Sequence, residues 1–120
     1  MLQVLKFTFN PFQENTYVLF TTDGQCAIID PGCYDKREEE ILKETIDEKG
    51  LNPTLLLNTH CHIDHVLGND FVHRTYGLDP VIHPQEEMVL AAVPRMAEMY
   101  GLNYTQSPKP TFFEGEEIVL

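Results

Sequence analysis

The stretch Thr54-Leu55-Leu56-Leu57-Asn58-Thr59-His60-Cys61-His62-Ile63-Asp64-His65 decides how this chain is read. Its first part is a short apolar run set off by Pro53, which predicts a buried interior strand over residues 54–58. Its second part places three imidazoles and a carboxylate within six residues. In extended backbone, residues two apart share a face, so His60 and His62 can present their rings to one ion. A tightening toward a helix start turns Asp64 and His65 to a second point nearby. Nitrogen and carboxylate donors of this kind suit zinc or iron. Unrelated surface histidines would leave the concentration without a cause, since histidine is used chiefly for proton transfer, pH sensing and metal binding.

Upstream of this stretch the pattern is short strands, then a helix. Residues 4–9, 16–21 and 26–30 are rich in β-branched and aromatic side chains and predict an antiparallel meander, with Asp23-Gly24 as a tight turn between the second and third strands. Pro31-Gly32 stops the third strand. Asp35 and Glu38 predict a capping box for a helix over 36–49, with acidic side chains in its first turn where the helix dipole favours them. Ile41, Leu42, Thr45 and Ile46 fall on its inner face, Glu39 and Lys43 are placed to pair outside, and Gly50 is the C-terminal stop. A strand, a helix and a further buried strand predict a right-handed βαβ crossover. The metal-ligand run then begins at the carboxyl end of a strand, where loops of such sheets converge on ligands.

Downstream, a helix is predicted over 69–76 and closed by Gly77, then a short strand over 81–83 and a helix from Pro84 that Pro94 interrupts and that resumes through Tyr100. Met88, Met96 and Met99 are read as core of these last helices. His73 and His83 are read as ordinary packing or surface residues. Phe112-Phe113, a turn at Glu114-Gly115-Glu116 and Ile118-Val119-Leu120 read as the start of a hairpin. Ending on apolar strand residues, the chain is expected to be truncated.

Composition narrows the partners. At 120 residues with 42 % hydrophobic side chains, one domain with a packed core is expected over 1–120. Nineteen acidic residues against eight basic ones give a net charge of −11, which argues against an extended nucleic-acid footprint. No run approaches the roughly 20 apolar residues of a membrane span. No signal peptide is read at the N-terminus, and the three cysteines form no CxxC pair, so the expected address is a reducing cytoplasm. Alternation points Cys61 away from the cation and toward a structural role; the alternatives are a soft third ligand or an oxidation-prone thiol.

Thr-His-x-His-x-Asp-His after an apolar strand resembles the signature of the metallo-β-lactamase superfamily. The wider match is similar to the small glyoxalase II-like hydrolases: Asn15-Thr16-Tyr17-Val18-Leu19, Ala27-Ile28-Ile29-Asp30-Pro31-Gly32, Val66-Leu67-Gly68-Asn69, and the stretch from Pro84 through Pro94 to Tyr100-Gly101-Leu102. The resemblance implies an α/β (α+β) fold, a four-layer αββα sandwich of which this chain supplies roughly one half. It implies His60 and His62 as ligands of a first metal, Asp64 and His65 of a second, and zinc as the metal, two ions per intact site, with iron or manganese as alternatives. Asp64 is also the implied catalytic residue, holding and orienting the attacking water. Asp30 either supports the site from beneath or simply ends its strand in a turn.

The implied reaction is hydrolysis of a small-molecule thioester of the hydroxyacylglutathione type through a metal-bound hydroxide. Members of the family carry further ligands in a second half: a histidine of a Gly-His-Thr-type loop, a metal-bridging aspartate and a last histidine. No histidine follows residue 101 here, and four ligands cannot fill two coordination spheres. The chain is therefore expected to be inactive alone and to self-associate through the sheet face that the missing half should cover. Two other readings stay open: a different hydrolase of the superfamily, acting on a phosphodiester or a lactam, and an inactive metal-binding or interaction module.

Overall fold

In the computed structural model, which describes residues 2–113, the triple-leucine run lies in β4 (Asn52–Leu57), an inner strand of a six-stranded sheet. Three antiparallel strands precede it: β1 (Gln3–Phe9), β2 (Glu14–Phe20) and β3 (Gln25–Ile29). Gly24, at φ +89°, makes the turn between β2 and β3. Helix α1 (Lys36–Glu48) carries the chain from β3 to β4, which pair in parallel. Beyond the ligand run come α2 (Ile63–Val66), α3 (Asn69–Tyr76), β5 (Pro80–Ile82), a 3-10 turn at Pro84–Glu86, α4 (Glu87–Ala91), α5 (Val93–Tyr100) and β6 (Thr111–Phe112). The sheet runs β1 to β6 in chain order, and β4, β5 and β6 are parallel neighbours. Among the described residues no helix is long and apolar enough to cross a membrane. The expected turn at 114–116 and strand at 118–120 lie outside the described residues.

The two faces of the sheet differ. Phe9, Val18, Cys26, Ile28 and Leu56 share the face covered by Leu42 and Ile46 of α1 and Val72 of α3, and this is the main core. On the opposite face the register aligns Tyr17, Ile29, Leu57 and Val81 in one row and Val4, Leu19, Ala27 and Leu55 in the next. Ala27 is buried there and Val4 exposed, while the other six are half-buried. The continuous Leu55-Leu56-Leu57 run therefore marks an inner strand, as expected, but only Leu56 is buried outright. The remaining two leucines face an uncovered layer.

Local details depart from the sequence reading in three places. Asp35 caps α1 through Glu38 N at 2.9 Å, but Glu38 does not return the bond: its carboxylate accepts from Tyr34 N and from Asn10 N, tying the β1–β2 loop to the helix start. Lys43 pairs with Asp47 at 2.8 Å, one turn onward, instead of with Glu39. Met88 and Met99 are 83 % and 73 % exposed, so they are not core. Leu90, Val93 and Ala97 take the buried stripe of the last two helices, and of the three methionines only Met96 packs against it. The helix break falls at Ala92, with Pro94 in the first turn of α5.

Candidate metal centre

The carboxyl ends of β3 and β4 place the ligand run. Asp30, immediately after β3, adopts φ +53°, a left-handed conformation uncommon outside glycine, and such backbone persists where neighbours hold it. Its carboxylate accepts from Thr59 N at 2.7 Å and from the Thr59 hydroxyl, fixing the segment that carries the histidines. Asn58 and Asn69, both buried, exchange side-chain hydrogen bonds of 2.8 and 3.1 Å and lock the end of β4 to the start of α3.

Two glycines let the loops approach. A Cβ on Gly32 would lie 2.2 Å from Glu14 Oε2 and 2.7 Å from the Asp64 carbonyl, and one on Gly68 would lie 2.4 Å from Cys33 Sγ. Neighbouring side chains and backbone together fill the space a Cβ would need at these positions.

The four predicted ligands converge. The His60 and His62 rings are exposed and lie nearly parallel, centroids 5.9 Å apart, and His65 is 5.6 Å from the first and 6.3 Å from the second. His62 immediately precedes α2 with its side chain free of any capping bond, so Asp64 and His65 stand in the helix's first turn. Asp64 Oδ2 is 3.6 Å from His65 Nε2, so both point at one place. Thr59 Oγ lies 3.2 Å from His60 Nδ1. With its own proton given to Asp30, that hydroxyl accepts from His60 Nδ1–H and leaves Nε2 free as the ligand nitrogen. Cys61 is fully buried among Val66, Ile82, Leu90 and Val93, and burial pushes its thiol up to about 12. This matches the structural role expected of it and removes it from the donor set.

A tighter group lies beneath. Ligand atoms of Glu14, Asp30 and His65 all fall within 4.8 Å of one another. His65 Nδ1 is 3.1 Å from Asp30 Oδ2 and 3.6 Å from Glu14 Oε1, and Nδ1 and Glu14 Oε1 are buried without a hydrogen-bond partner among the described residues. The Asp30 carboxylate holds His65 above the ordinary imidazole value, against the effect of burial. Glu14 is pushed up to about 8, mainly by burial. Asp30 thus settles as a support beneath the site, not a plain turn residue. Glu14 escaped the sequence reading, although a glutamate on the apolar face of a strand, in step with Thr16 and Val18, is the anomaly that marks it.

The donor set fits divalent cations. Three imidazoles and a carboxylate gather at a strand end, and one ring has a carboxylate behind its second nitrogen, the arrangement that orients metal-binding histidines. A cleft of about 590 Å³ opens beside His62, Asp64 and His65, lined also by Phe12, Ile63, Met96 and Tyr100. Phe12 from the β1–β2 loop meets Tyr100 of α5 edge-on at 5.3 Å in that lining. His73 and His83 stay out of it: His73 lies 3.1 Å from Asp79, and His83 caps the 3-10 turn through Gln85 N.

The chain is 33 % identical over 108 residues to a probable metallo-hydrolase, YqgX, of Bacillus subtilis, covering 88 % of this chain and 49 % of the relative. It is 32 % identical over 92 residues to the hydroxyacylglutathione hydrolase GloC of Haemophilus influenzae, covering 76 % of this chain and 42 % of that protein. Among solved structures, TTHA1623 in a di-iron-bound form superposes with a TM-score of 0.80 at 30 % identity over 97 % of this chain and 56 % of its own. BLEG-1 B3 metallo-beta-lactamase superposes with a TM-score of 0.78 at 27 % identity over 95 % of this chain and 54 % of its own. The chain spans about half the length of the curated relatives it matches, and its sheet and helices are about half of their mixed α/β fold, a fold that implies metal ions. The family model of the metallo-beta-lactamase superfamily matches residues 9–119, and the chain belongs to that superfamily.

Proposed function

We propose that the full-length protein is a metal-dependent hydrolase of thioesters of the hydroxyacylglutathione type. The observation that carries this reading is the convergence of His60, His62, Asp64 and His65 over the end of β4 with Asp30 braced behind them. The named hydroxyacylglutathione hydrolases among the relatives support the thioester. His60 and His62 would hold one cation and Asp64 with His65 a second, zinc being our assignment and iron the alternative that the di-iron relative keeps open. When bound, such ions polarise a carbonyl and lower the pKa of a water. Asp64, half-buried at the mouth of the cleft, would help hold such an ion and orient the attacking water, and the Phe12–Tyr100 pair walls the cleft beside it.

The remaining ligands would come from the second half of the protein, so the 120-residue chain alone is expected to be inactive. That half would also cover the Tyr17–Ile29–Leu57–Val81 face. Made alone, the chain is proposed to cover it with a second copy. Three buried free cysteines suit a reducing compartment and support a cytoplasmic address.

The test is hydrolysis by the full-length protein of S-lactoylglutathione, a generic phosphodiester and a lactam. Turnover of the thioester that disappears on chelation and returns with zinc or iron is the expected result. Turnover of the lactam alone would favour the second reading, which the likeness to BLEG-1 supports. Unchanged metal content in a His60→Ala/His62→Ala variant would remove the centre itself.

A further inference from the structure

Glu14 is not explained by packing. It opens β2 on the face that β2 shares with the core, is 4 % exposed, and among the described residues has the His65 ring as its one cationic neighbour. A carboxyl group in such a place is costly unless something uses it. Glu14 Oε2 meets the Thr16 hydroxyl at 3.0 Å, and that hydroxyl also reaches the Asp30 carbonyl at 2.9 Å and accepts from Gly32 N at 2.9 Å. The other oxygen, Oε1, has no hydrogen-bond partner and faces His65 Nδ1 at 3.6 Å. The pocket is shaped around it, because Gly32 leaves the space that Oε2 occupies.

We propose that Glu14 is a positioning residue for the second cation subsite, sharing with Asp30 the task of holding the His65 ring so that Nε2 faces Asp64. The inference rests on the metal-dependent reading above. Asp30 is already committed to Thr59 through both carboxylate oxygens, and the oxygen nearest Nδ1 is shared with the Thr59 hydroxyl. Glu14 brings a second carboxyl oxygen to 3.6 Å from the same nitrogen, so two acids together hold the ring's orientation. Among the described residues His60 has no comparable acid behind it; its Nδ1 faces the Thr59 hydroxyl. Loss of Glu14 should therefore fall on one subsite and spare the other.

Cobalt(II) titration of the full-length protein, followed by its visible absorption, separates the two. Wild type should take up two ions. In Glu14→Gln, which keeps the size but can set an amide N–H in place of an acceptor oxygen before His65 Nδ1, the second affinity should fall roughly 10- to 100-fold while the first holds. Glu14→Asp, with the acid retained but drawn back by one methylene, should lie between and serves as the test if the glutamine variant does not fold. Equal losses at both subsites, or none, would overturn the assignment. Failure of wild type to bind two ions would instead strike the hydrolase reading, so the two failures are distinguishable.

Discussion

Asp30 Oδ2 lies 3.1 Å from His65 Nδ1 and also accepts the Thr59 hydroxyl, whose oxygen is 3.2 Å from His60 Nδ1. One buried acid therefore braces a ring in each half of the candidate centre. Asp30→Asn should keep the backbone, since asparagine tolerates the same positive φ, and should weaken cation binding at both subsites by roughly 10- to 100-fold. Thr59→Val should weaken only the subsite containing His60. Isothermal titration of the full-length protein with zinc checks both, and a Thr59→Val effect at the His65 subsite alone would contradict the link.

Gly32 sits where Glu14, Asn10 and the Asp64 carbonyl meet. Gly32→Ala forces a methyl group to within 2.2 Å of Glu14 Oε2 and 2.7 Å of backbone, so something must shift. The expected cost is about 1–3 kcal/mol. Urea unfolding should show a lower midpoint with an unchanged slope. A midpoint equal to wild type would mean that the loop relaxes freely.

Burial raises the thiols of Cys26 to about 11 and Cys61 to about 12, and raises that of Cys33 as well. At pH 8 the folded thiolate fraction is about one in a thousand or less. A disulfide reagent should leave the native protein unlabelled and label all three positions in denaturant. Because the unfolded thiols ionise first, from the ordinary 9.0, the folded state binds more protons above that pH. Stability should therefore hold below pH 9 and decline as pH rises from 9 toward the raised values. Rapid native labelling at pH 8 would contradict this burial.

The half-buried row Tyr17, Ile29, Leu57 and Val81 should make the 120-residue chain associate when produced alone. Light scattering at micromolar concentration should give at least a dimer, and Leu57→Glu should return it toward monomer. A wild-type chain that stays monomeric under those conditions would refute the proposal.

The parts of this molecule set by short-range forces were legible beforehand. Asn69–Tyr76 with its Gly77 cap, the Asp35 N-cap and the strand–ligand-run junction follow from spacing within a few residues, because helix faces, caps and strand alternation are local geometry. The same holds for Cys61, whose inward direction follows from alternation with His60 and His62.

What sequence left open was decided by which distant segments met. Met88 and Met99 are as apolar as Met96, yet the two short helices have room for one buried stripe only, and Leu90, Val93 and Ala97 fill it. Glu38 could have closed a capping box, but the β1–β2 loop brought Asn10 N within its reach. Glu14 stands 51 positions before His65, and nothing within a few residues of it hints at an imidazole. The chain order alone determined that the candidate ligand run leaves an inner strand. Only the folded sheet, by laying the start of β2 beside the ends of β3 and β4, placed two buried acids behind His65, since contacts of that sequence separation exist only once the strands have paired.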